Sequence, residues 1–211
     1  MNTQRLTLIT VALALVIIAG IFLIPRLQQG GEISGELDLT RQPSLGSEQA
    51  PVKIALFEDF RCPHCATFTE TVFQQLKREY VDDGKVEVFY LNFPVLGPES
   101  ETVALAGECV YQQSESAFWD LKEVLFRSQD DLDNSRRVLE LAETYSPGID
   151  QQTLRTCFER KELVDEVRRD AAMARKLGLT GTPSVVVNGE RLTNVNFASV
   201  QRAIDRALAG E

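Results

Sequence analysis

The chain has 211 residues, 44% of them hydrophobic and 25% charged, with a formal net charge of -9 at pH 7. That much apolar material is enough for a proper core in one large or two small domains, which excludes a disordered or fibrous protein. The acidic charge is spread without blocks of like sign, so there is no basic footprint on which nucleic acid could bind.

Residues 6–24, LTLITVALALVIIAGIFLI, form an uncharged apolar run of 19. At about 1.5 Å per residue this nearly spans a hydrocarbon core of roughly 30 Å. The bland alternative is a cleavable signal peptide, but the run exceeds the usual ~7 to 15 residue apolar region, and no small-x-small cleavage site separates it from Pro25 and Arg26. Arg5 precedes the run, and acidic residues follow soon after Arg26. This weak positive-inside bias places everything after Arg26 outside the cytoplasm, where disulfides persist. Residues 1–26 are therefore expected to be a cytoplasmic stub and a single-pass membrane anchor. Residues 27–50, rich in Gly, Ser and Gln, are expected to be a linker.

From Pro51 the chain changes character. VKIALF (52–57) suits a buried strand, ATFTETVFQQLKREY (66–80) has apolar residues at helical spacing, Asp82-Asp83-Gly84 turns the chain, and KVEVFYLNF (85–93) reads as a second strand. Strand, helix, strand favours a parallel pair with a right-handed crossover. From 100 to 159 only helical patterns follow: SETVALAGECVYQQ, AFWDLKEVLFRS, SRRVLELAETYS and QQTLRTCFER, separated by polar or Pro/Gly-containing joints. The apolar spacing of Phe118, Trp119, Leu121 and Phe126 favours core packing over an aromatic binding surface. A long helix, ELVDEVRRDAAMARKLG, ends at Gly178; SVVV and the Asn188-Gly189 turn start a hairpin; and FASVQRAIDRALA closes the chain. The expected architecture is an α/β frame over 51–99 and 160–211 that carries an inserted helical domain over 100–159.

FEDFRCPHCATF (57–68) holds two cysteines two residues apart, with the only histidine, His64, between them. A structural zinc site needs four ligands, and the remaining soft candidates, Cys109 and Cys157, are distant in sequence, so no metal is expected. A purely structural staple is also poor, because so short a loop removes little unfolded-chain entropy. Redox use remains. With a helix starting near Pro63, Cys62 lies at its N-terminus, where free N–H groups and the macrodipole favour a thiolate. A protonated or N–H-donating His64 would add to this, the alternative being a solvated residue with no role. Cys65, one turn inside, is expected to be more buried with a more ordinary pKa. Cys62 is then the sulfur attacked to form a mixed disulfide, and Cys65 is the resolving thiol. Stabilising the thiolate stabilises the reduced form, which makes the disulfide an oxidant.

CPHC after a short strand, followed much later by TGTPSVVVNG (180–189), resembles the thioredoxin superfamily and within it the DsbA-type thiol:disulfide oxidoreductases of the bacterial cell envelope. The resemblance covers roughly Ser47 to the C-terminus, and the insert falls where this family carries its helical domain. It implies a thioredoxin fold with a helical insert, Pro183 as a cis proline beside the cysteine pair, and the backbone of Thr182 offered to an extended substrate. Without the resemblance, a trans Pro183 opening a strand would be as good a reading. One position departs from the pattern: the acidic residue often found six positions before the first cysteine is Leu56 here. Glu58 and Asp59 are the nearest acids, either solvated at the strand end or engaged in proton handling.

Four cysteines allow three connectivities. Cys62 with Cys65 and Cys109 with Cys157 is the favoured pairing, the alternative for the second pair being two buried free thiols. The leading function is a monomeric, membrane-tethered disulfide donor to reduced exported proteins. Its redox equivalents are carried by Cys62 and Cys65 without another cofactor, and by family analogy it is reoxidised by a DsbB- or VKOR-like membrane quinone reductase. The rivals are an envelope reductase or isomerase using the same residues, and a non-redox peptide-binding or chaperone module on the same fold.

Overall fold

The structure is a computed structural model that describes residues 31–32 and 37–210. The expected membrane segment over 6–24 lies outside the described residues; among them, no helix is long and apolar enough to cross a membrane.

Six strands, β1 (Gly31–Glu32), β2 (Ser44–Gly46), β3 (Val52–Glu58), β4 (Val86–Asn92), β5 (Ser184–Val187) and β6 (Glu190–Arg191), form one sheet in the order β1-β6-β5-β3-β4-β2. The unbroken apolar run of β3 follows from its central place, since a strand covered on both faces needs apolar residues at successive positions. Val52, Ile54 and Leu56 point into one core with Tyr90 of β4. Ala55 and Phe57 point into the other, against Ala171, Ala174 and Leu177. β3 runs parallel to β4 and antiparallel to β5.

The helix after the cysteines starts as α1 (Pro63–Phe68) and runs on through a π-helical turn (Thr69–Phe73), Gln74–Leu76 and a second π-helical turn (Lys77–Val81). Regular α-helix was the expectation. The hydroxyls of Thr67 and Thr71 donate back to the carbonyls of Pro63 (3.1 Å) and Thr67 (2.6 Å), which draws those acceptors out of the regular ladder.

Four helices make the insert: α2 (Pro98–Tyr111), α3 (Glu115–Arg127), α4 (Ser135–Tyr145) and α5 (Gln151–Arg160), with a 3-10 turn at Gln129–Asp131. The polar joints between them are helix caps: Ser114 accepts from Ala117 N, Asn134 from Arg136 N and Arg137 N, and Asp150 from Thr153 N. Phe118, Trp119, Leu121 and Phe126 of α3 are buried in the core that also holds Leu56 and Tyr90. The frame resumes with α6 (Val164–Lys176), which covers the other face of the sheet, and closes with α7 (Phe197–Ala209). Cys109 on α2 and Cys157 on α5 are bonded, with their Cα atoms 5.9 Å apart.

The expected linker over 27–50 is corrected at its C-terminal end, residues 44–46. β2 pairs with β4 along the sheet edge, Trp119 Nε1 donates to Ser44 O at 2.7 Å, and Glu115 Oε1 accepts from Ser44 N at 2.6 Å. Gly46 sits at φ +117, where an added Cβ would come within 2.6 Å of Val86 O, so the glycine marks a close strand approach rather than a flexible tether. The insert likewise starts two residues earlier than expected, because Gly97 at φ 97 turns the chain and Pro98 opens α2.

Frame and insert meet at a buried polar cluster. Asn92 of β4 donates from its backbone N to Asp170 Oδ2 of α6 (3.0 Å) and from its side chain to Glu108 Oε1 of α2 (2.6 Å), while Gln42 donates to Asp170 Oδ1 at 2.8 Å. Burial pushes the Glu108 carboxyl up to about 8, with the Asp170 charge adding to it, and burial pushes Asp170 up to about 6.

Candidate active site

The register of the sheet assembles the site. Phe57 of β3 lies opposite Ser184 of β5, so the residues just before β5 stand beside the chain leaving the end of β3. That chain is the loop of Asp59 to Cys62, and the residues before β5 are Thr182 and Pro183, joined by a cis peptide bond. Cys62 Sγ donates to Thr182 O at 3.5 Å.

Cys62 is the N-cap of α1, in extended conformation, with Pro63 in the first helical turn. Both cysteines are free thiols; Cys62 is 6% exposed and Cys65 fully buried. The Cys62 thiol is drawn down to about 5. The largest cause is the hydrogen bond from the Cys65 thiol, to which the backbone N–H groups of Cys65 and His64 add, all acting against burial. His64 thus acts through its backbone N–H, while its side chain lies exposed with Pro63. The expectation of a near-ordinary Cys65 is corrected: burial, its bond to the Cys62 sulfur and the Glu58 charge push it well above the usual thiol range.

Glu58 and Asp59 are not solvated, being 1% and 2% exposed. Asp59 organises the loop: Oδ1 accepts from Arg61 N (2.9 Å), and Oδ2 accepts from Val95 N (2.8 Å) and Leu96 N (3.0 Å). This holds Val95 and Leu96, both exposed, against the redox loop. Glu58 takes the place left by Leu56. Side chains alternate along a strand, so residue 58 shares the face of residue 56, one pleat further on. Its Oε2 lies 3.0 Å from Nζ of Lys122, which is fully buried on α3, and Thr69 Oγ1 accepts from Lys122 Nζ at 3.0 Å. Lys122 Nζ also stands 4.5 Å from the Phe73 ring centroid and 4.7 Å from that of Phe126, so aromatic faces complete its surroundings. Burial pushes the Glu58 carboxyl up, while Lys122 and Thr69 draw it down.

Two contributors escaped the sequence reading. Lys122 left a signal: it occupies the apolar stripe Phe118, Leu121, Lys122, Leu125, Phe126, where a charge needs a buried partner. Gln129 left none. It follows α3 among polar residues, and only the tertiary structure brings it to the redox loop.

The family model described as Thioredoxin matches residues 39–206. The probable disulfide bond formation protein D of Bacillus anthracis is 39% identical over 171 residues, which cover 79% of this chain and 78% of that one. Disulfide bond formation protein D of Bacillus subtilis is 27% identical over 197 residues, 87% of this chain and 85% of that one. The crystal structure of oxidised BdbD from Bacillus subtilis matches with a TM-score of 0.78 at 28% identity, over 85% of this chain and 99% of that one. Wolbachia pipientis alpha-DsbA1 shares the fold at a TM-score of 0.71 and 22% identity, over 82% of this chain and 94% of that one. A helical insert in a thioredoxin frame, a free thiol pair at a helix start and these relatives lead to one conclusion: the chain belongs to the thioredoxin superfamily, among its DsbA-type thiol:disulfide oxidoreductases.

Proposed function

We propose that the protein is a membrane-tethered disulfide donor that oxidises exported proteins through Cys62. The observation that carries the reading is the asymmetry of the pair. Cys62, at the N-cap and drawn down to about 5, is a stable thiolate and a good leaving group; Cys65, buried and pushed up, holds its proton.

With the pair oxidised, a substrate thiolate attacks Cys62 Sγ, the less buried sulfur. The bond to Cys65 breaks, and Cys65 leaves with the electron pair and takes up a proton. Glu58, the acid whose charge acts on Cys65, exchanges that proton, with Lys122 as its fixed counter-ion. A second substrate thiolate then attacks the substrate sulfur of the mixed disulfide and expels Cys62 as a thiolate. The substrate loses two electrons and the pair gains them; one proton stays on Cys65 and one goes to solvent. Thr182, beside Cys62, offers its backbone to the extended substrate. Reoxidation falls to a quinone-linked membrane protein of the DsbB or VKOR type, and the apolar run over 6–24 would hold the enzyme near it, on the extracytoplasmic side.

The reduction potential of the pair, measured in glutathione buffers with free thiols trapped, tests the direction of electron flow. A value between roughly -120 and -200 mV is expected of a donor; one near or below about -270 mV would make the protein a reductase instead.

A further inference from the structure

Gln129 opens the 3-10 turn after α3, and its side-chain nitrogen donates to two carbonyls of the redox loop, Phe60 O at 2.7 Å and Cys62 O at 2.9 Å. A primary amide has two N–H donors, so both serve this loop. The N–H groups of the loop are held from its own side: Asp59 O accepts from Cys62 N at 2.9 Å, Asp59 Oδ1 accepts from Arg61 N, and Pro63 has no N–H. Its carbonyls are held from the insert. The same stretch of the insert makes a second link, because Arg61, which donates to Leu96 O at 2.9 Å, also pairs with Asp133.

We propose that Gln129 is a positioning residue for the redox reaction, a forked donor that pins the two carbonyls on either side of Arg61 and thereby sets the electrostatic field at the Cys62 sulfur. The role rests on the reading of Cys62 as the attacked sulfur. A carbonyl oxygen carries partial negative charge; without Gln129 the Phe60 carbonyl would lose its donor and the Cys62 carbonyl one of its three, and the freed charge would raise the energy of the neighbouring thiolate. Hydrogen-bonded to Gln129, that charge is compensated and the peptide planes cannot turn. Cys62 O also accepts from Cys65 N and Ala66 N, the first bonds of α1. Gln129 therefore holds the turn from which the N–H groups of His64 and Cys65 act on the sulfur. A bond of merely structural value would stabilise the oxidised and reduced forms alike; this one favours the form that carries the thiolate.

The test uses the full-length chain with Gln129→Met, which keeps the length and removes the donors, and Gln129→Glu, which keeps the shape and puts a carboxylate in their place. Three quantities are read in each: the pH titration of the Cys62 thiolate by ultraviolet absorbance, the equilibrium constant with glutathione, and the melting temperatures of the oxidised and reduced forms. Gln129→Met is expected to raise the Cys62 pKa by about half to one unit, the scale of one net hydrogen bond. The glutathione equilibrium should move roughly three- to tenfold toward the disulfide form, up to about 30 mV more reducing. Gln129→Glu should do more, and the reduced form of each should lose more melting temperature than the oxidised. Variants that keep the wild-type thiolate titration and glutathione equilibrium, however far their melting temperatures fall, would overturn the proposal. A wild-type Cys62 that titrates as an ordinary thiol would overturn the reading beneath it as well.

Discussion

Leu56 and Glu58 stand on one face of β3, and exchanging the expected acid at the first for a real one at the second changes its partner. At residue 58 the carboxylate meets Lys122 from the insert, so the charge behind the cysteine pair is balanced across two structural units. Removing one member of a buried ion pair costs far more than removing both. Lys122→Met should therefore destabilise the protein by about 3 kcal/mol or more, and adding Glu58→Leu should recover most of that loss, as read by urea denaturation of the two singles and the double. Full additivity would show that the pair is not coupled. The Cys62 sulfur allows a second residue-scale prediction. Above about pH 5 reduction yields a thiolate at Cys62 and a thiol at Cys65, so two electrons arrive with one proton. The potential should then change by about 30 mV per pH unit between pH 6 and 8, against about 59 mV if both sulfurs were protonated. A redox titration across that range decides between them.

At the scale of elements, the chemistry depends on where α1 begins and on what crosses the insert. The redox loop is short because β3 ends at Glu58 and Pro63 starts the helix, and both ends were legible in the sequence: the apolar run stops at Phe57, and Pro suits a first turn. The edge strand β2 was not legible, because its contribution lies in backbone pairing with β4 and in Trp119, and Ser-Leu-Gly carries no apolar pattern. Nor were the π-helical turns, the first of which lies where the hydroxyls of Thr67 and Thr71 bond back to the ladder. The Cys109–Cys157 bond joins the first and last insert helices across a separation of 48 residues. Replacing both with Ser should cost up to about 4 kcal/mol on the chain-entropy account. The glutathione equilibrium of Cys62 and Cys65 should be unchanged, since the second pair supports the insert and not the sulfur. A shift in that equilibrium would mean that the bond also shapes the site.

For the whole molecule, the Asn92, Glu108, Asp170 and Gln42 cluster joins the frame, the insert and the segment before β2 in one buried contact. Both carboxyls have folded pKa values above their unfolded ones, so the folded state holds protons that the unfolded chain releases. Their stabilising effect is complete below about pH 4 and is lost as pH rises through about 6 for Asp170 and about 8 for Glu108. The melting temperature of the oxidised protein, in which Cys62 does not titrate, should fall between pH 5 and 8 in buffer free of divalent cations. Glu108→Gln should flatten the part of that fall above about pH 6. A profile that rises over this range would contradict the protonated state assigned to the cluster.

By itself the sequence determined the α/β frame, the helical insert and the identity of the redox pair, because these rest on local signals: apolar periodicity, turn residues, and a CxxC at a helix start; that the frame is a thioredoxin fold came from the resemblance carried by CPHC and TGTPSVVVNG. The tertiary structure alone decided the electrostatics around that pair. The pairing of Glu58 with Lys122 and the grip of Gln129 on the loop each join residues tens of positions apart, and the rise of Cys65 comes first from its burial in the packed core. Such effects depend on distance and on the water excluded by packing, neither of which is written in the local order of the chain.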